Sequence, residues 1–214
     1  NDKPYDGLVT VSGPGAEWNI VNPNNSVMYG WLRIGGEGNT NGKGRLVIEN
    51  GGKVDADRVR LGAIFSGGSR GTLLVTGQGS LLTTDDMDGL SAGGSIAEPN
   101  PIAITNGGKI VTGKTSLGGQ GGPVLVDGAG SQWLDGSDMI NHGGFTVSNG
   151  GEVKTKSLLL GENTLITGAN SLLDVETRVD LEGAFEEGYV TVADGGQLKT
   201  QTLAVSSQGG FRVE

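Results

Sequence analysis

The groups in this chain best able to do chemistry are carboxylates. Asp85-Asp86-Met87-Asp88, Asp135 with Asp138, and Asp174-x-Glu176 each follow a glycine-rich turn. Clustered acids can hold calcium, and two of them roughly 5–9.5 Å apart across a groove can cleave a glycosidic bond. Lys114, Lys154, Lys156 and Lys199 fall in the intervening segments, so acidic and basic stretches alternate, with one mixed stretch at Asp55, Asp57, Arg58 and Arg60. Exposed charge pairing between neighbouring segments, worth about 0–1 kcal/mol per pair, accounts for that alternation without catalysis.

Other chemistries find less support. There is no cysteine and a single histidine, His142, which excludes a thiol nucleophile and the usual zinc sites. The string Gly108–Thr115 matches the phosphate-loop pattern, but strand-like alternation runs through its lysine where a helix should begin. Gly35-Gly36-Glu37-Gly38 and Gly118–Gly122 lack the aspartates of a calcium-binding roll. No cofactor or metal is therefore expected. A net charge of −9 argues against nucleic acid and anionic lipid as partners, and no apolar run is long enough to insert directly in a membrane.

Glycine supplies 42 of 214 residues, without the period of three that collagen needs. Two turn signatures interleave instead. Gly13-Pro14-Gly15-Ala16, Gly77-Gln78-Gly79-Ser80, Gly128-Ala129-Gly130-Ser131 and Gly168-Ala169-Asn170-Ser171 alternate with Asn50-Gly51-Gly52, Asn106-Gly107-Gly108, Asn149-Gly150-Gly151 and Asp194-Gly195-Gly196. An alternating apolar pair precedes each turn, such as Val9/Val11 or Ile102/Ile104, and one large apolar residue follows at a fixed offset. Those followers are Trp18, Val54, Leu82, Ile110, Trp133, Val153, Leu173 and Leu198. A second pair, as in Leu32-x-Ile34 and Val59-x-Leu61, closes most units and is blurred at Leu90 and Ile140.

Period-two alternation means half-buried strands, and glycine and asparagine at fixed places mean turns. The unit recurs about every 26 residues, which suits one turn of a solenoid better than a propeller blade. The reading is all-β: a right-handed parallel β-helix of about eight coils, with residues 1–214 as a single segment. Equivalent apolar residues should stack, with Trp18 and Trp133 facing inward.

Two excursions interrupt the repeat, at residues 19–30 and at 83–89 with 95–101 closing the same unit. The first two should leave one corner two units apart. Loops on a rigid scaffold are where recognition concentrates. Tyr29, Trp31, Asp85, Asp86 and Asp88 form the expected binding face.

The strings Val11–Trp18 and Val126–Trp133, with Leu46–Val54 and Phe145–Val153 around Asn-Gly-Gly, resemble the repeat of adhesin-type passengers in autotransporters, the type V secretion proteins of Gram-negative bacteria. The resemblance covers nearly all of the chain from Val9 and is specific for architecture rather than activity. It implies a non-catalytic segment at the cell surface, outside the outer membrane, or secreted, acting in adhesion, autoaggregation or biofilm formation. It further implies that the chain is a piece of a longer passenger. Partners would be a host or bacterial surface protein or glycan, or another passenger copy. A carbohydrate-active β-helix enzyme and a purely structural stalk are the alternatives.

Overall fold

A computed structural model describes residues 6–20, 30–35, 42–62, 70–84, 89–92, 102–118, 123–181, 188–206 and 209–214. These residues are all-β, with no helix among them. Their 23 strands form two sheets, of nine and 14 strands. Every pairing between them is parallel.

The register follows the repeat. In the nine-stranded sheet Val11, Ile48, Val75, Ile104, Val126, Val147, Ile166 and Val192 are successive partners, each opposite the next. In the larger sheet the eight turn-following residues, from Trp18 through Trp133 to Leu198, form a second such column. A third runs Leu32, Val59, Leu90, Thr115, Met139, Leu158, Val179 and Leu203. The strands Glu152–Leu160 and Leu172–Leu181 run through the bend between the second and third columns and so join them into one sheet.

These columns are the core. Trp133 is completely buried, and Trp18 packs against the core while staying partly exposed. The unit blurred at Ile140 resolves differently from its neighbours. Met139 and Asn141 point inward there, and Ile140 points out.

The interleaving of the two turns has a hydrogen-bond cause. In Asn106-Gly107 both residues take positive φ, 54° and 83°, a left-handed pair that leaves the Gly107 N–H pointing away from its own turn. That N–H donates to Ser131 Oγ in the next unit at 3.0 Å, and Ser131 Oγ donates to the Asp127 carbonyl at 2.6 Å. The same clip joins Gly51 to Ser80 and Gly150 to Ser171. A serine turn thus completes the asparagine turn before it. Ser131→Ala leaves a part-buried donor and a part-buried acceptor without this partner and is expected to cost about 1 kcal/mol in a urea titration. An unchanged midpoint would show that the clip is incidental.

Candidate functional site

The third column positions the site, because its strands alternate strictly. Leu32, Val59, Leu90 and Thr115 are taken into the core, so their neighbours point outward. Trp31 lies opposite Arg58, and Arg33 opposite Arg60. Arg60 is followed in register by Ser91, Ser116 and Ile140. Lys114 enters one residue before Thr115, its carbonyl accepting from the Leu90 N–H at 3.0 Å. Together Trp31, Arg58, Ser91, Lys114, Ser116 and Ile140 line a cleft of about 330 Å³, with Val59 in its floor.

Trp31 organises the cations. The Arg33 and Arg58 guanidinium carbons lie 5.0 and 5.1 Å from its ring centroid. Each contact is worth about 0.5–1 kcal/mol at an exposed site and holds the guanidinium over the ring. The Arg60 Nε is buried and has no hydrogen-bond partner.

Of the five residues expected at the binding face, only Trp31 is among the described residues; Tyr29, Asp85, Asp86 and Asp88 lie outside them. The excursions bearing them follow Ile20 and Thr84, which occupy one register position two units apart. They return at Gly30 and Gly89, whose carbonyls accept from Arg58 N and Val59 N at 3.2 and 2.8 Å. Gly30 and Gly89 therefore flank the strand Arg58–Leu61. Arg58, Lys114, Ser91 and Ser116 escaped the sequence reading as cleft residues. Their only signal is the outward slot of aligned units, visible once units are superposed.

The other acids separate into two kinds. Asp138 and Asp174 lie outside, where Asp138 accepts from Ser157 Oγ at 2.6 Å and Asp174 sits in register between Lys154 and Lys199. Lys154 also pairs with Glu152 at 2.8 Å; the lysine's hydrogen bond holds that carboxyl below its ordinary range. Opposite charges thus face one another across units at Asp174, whereas the Lys154–Glu152 ion pair lies within a single strand. Asp135 is different, because it points into the core.

There Thr112 and Thr115 hydroxyls donate to its Oδ2 at 2.9 and 2.5 Å, and the Ser137 N–H to its Oδ1 at 3.0 Å. Thr155 stands at 3.5 Å, and Trp133 Nε1 donates to Thr112 at 3.1 Å. Burial raises the Asp135 pKa above the ordinary 3.8, against the hydroxyl and N–H donors that favour the charge. The folded state thus binds its proton more tightly than the unfolded chain does. This carboxyl's contribution to stability falls as pH rises through the window that opens at 3.8. Asp135→Asn removes that titration, so the variant should gain on the parent as pH rises above 3.8, read as urea midpoints. A difference independent of pH would contradict the assignment.

The phosphate-loop string falls on the strand Lys109–Thr112 and the start of Thr115–Leu117, and Thr115 is buried against Asp135, so no phosphate cradle forms. Among the described residues no group of three or more His, Cys, Asp or Glu could hold a metal ion. No family model, curated protein or solved structure matches the chain.

Proposed function

We propose that the chain winds as a right-handed parallel β-helix of about eight coils and serves as a non-catalytic segment of an autotransporter passenger. Displayed at the bacterial surface or secreted, it acts in adhesion, autoaggregation or biofilm formation. The observation carrying this reading is the register. Equivalent residues about 26 positions apart pair in parallel through three columns, so outward side chains line up from one unit to the next. Such a surface offers repeated weak contacts, which become avidity when several engage together.

The disposition of the acids supports binding over hydrolysis. Asp135 is enclosed by hydroxyls, and Asp174 is flanked by lysines. Asp135 is thereby kept from facing a second acid across an open groove, as glycoside cleavage requires.

The test is display of the chain on a Gram-negative host that does not aggregate, fused to an export signal and a membrane anchor. Settling of the culture or attachment to a surface is the expected result. Cells that stay dispersed and unattached would refute the adhesive role. Reducing ends released from acidic polysaccharides would refute the non-catalytic one.

A further inference from the structure

We propose that the Trp31–Arg58–Lys114 cleft binds an anionic saccharide unit, a carboxylate- or sulfate-bearing sugar of an acidic glycan. The proposal rests on the non-catalytic binding role above and names its ligand class.

Charge is distributed unevenly along the chain. Seven of the 15 basic residues but only four of the 24 acidic ones lie between Trp31 and Thr72, so that stretch is net +3 in a chain of net −9. Register gathers part of this charge at one place. Arg33 and Arg60 are partners, Arg58 is beside Trp31, and Lys114 joins from two units further on. The chain is otherwise acidic, so this cluster is the feature an anion would find.

The cleft's form favours a sugar over a bare ion. Its volume of about 330 Å³ falls at the lower end of ligand sites and holds one or two rings rather than a protein loop. Arg58, held over the indole, carries the planar fork of donors that meets carboxylate or sulfate oxygens in pairs. Ser91 and Ser116 stand opposite each other in register along the same wall, supplying hydroxyls that donate to and accept from sugar hydroxyls. The buried Arg60 Nε, lacking any partner, is a donor beside this wall.

Calorimetry on the purified chain tests the proposal with a sulfated heparin oligosaccharide, an oligogalacturonate, neutral dextran and an oligo-dT. Saturable, salt-weakened binding of at least one acidic sugar, with dextran inert, is expected. Which one binds identifies the anionic group. Arg58→Gln combined with Lys114→Gln, and separately Trp31→Ala, should each weaken binding about tenfold or more, whereas Lys53→Gln should leave it unchanged. Circular dichroism on each variant confirms that it folds.

Changing Asp85, Asp86 and Asp88 together to Asn should preserve or tighten binding. Its loss would mean that those carboxylates hold the glycan through a cation, and would overturn the assignment. So would no binding to either acidic sugar, equal binding of oligo-dT, or indifference to the cleft substitutions. Display-driven aggregation without glycan binding would sink this inference alone.

Discussion

Gly151→Ala is expected to destabilise the protein by about 3 kcal/mol, although Gly151 has an ordinary backbone conformation and adds only one methyl group. A Cβ at this position would lie 2.4 Å from the Val126 carbonyl oxygen and 2.9 Å from its carbon. Both atoms are backbone, so no side chain can rotate aside. The preceding unit would have to move, with its hydrogen-bonded ladder. Gly52, Gly108 and Gly196 occupy the same position in their turns and face the same obstacle from Val11, Val75 and Ile166. Gly118 provides the control, because a Cβ there meets nothing within 4 Å. Gly118→Ala should stay within about 0.5 kcal/mol of the parent. Equal urea midpoints for the two variants would remove the close approach between units as the reason for the second turn glycine.

Trp133→Ala carries the other large effect, about 3–5 kcal/mol. The indole is fully buried, is held in register between Ile110 and Val153, and donates to Thr112. Its removal leaves a cavity and takes a donor from the hydroxyls around Asp135. Stability in a repeating stack is largely a sum of neighbour contacts. Loss of amide protection should therefore concentrate in the adjoining strands Lys109–Thr112 and Glu152–Leu160 and leave Tyr189–Ala193 little changed. Trp18→Ala, at a partly exposed position of the same column, should cost distinctly less. Equal losses at the two tryptophans, or protection lost uniformly, would contradict the stacked arrangement.

The columns were legible in the sequence because two independent signals agreed on them. Apolar alternation marked the strands, and the offset from each turn fixed which residues pointed inward. The third column was legible only in part. At Leu90 the strand is short, and at Met139–Asn141 the inward slots hold a thioether and an amide while an isoleucine faces out.

Asp135 escaped for a related reason. A carboxylate in an inward slot is tolerable only if donors surround it, and its donors Thr112 and Thr115 sit 23 and 20 residues away. That condition is met in space, by register, and leaves no local pattern. The cleft follows the same logic. Trp31 could be singled out as an aromatic beside an excursion. Its companions Arg58 and Lys114 come from other units and read singly as ordinary surface charges.

The serine clip described above has a bearing on how such a chain can lengthen. Each clip fastens an asparagine turn to the serine turn that follows it, whereas the described serine turns are tied forward only through the backbone, as by Gly77 N–H to the Thr105 carbonyl and Gly128 N–H to the Ser148 carbonyl. The molecule is therefore quantised in twos. Excising a matched couple of units should heal cleanly, whereas removing one alone sets two like turns against each other and strands a glycine amide. Duplication and loss over evolutionary time should accordingly change the chain by even steps, near 52 residues at a time.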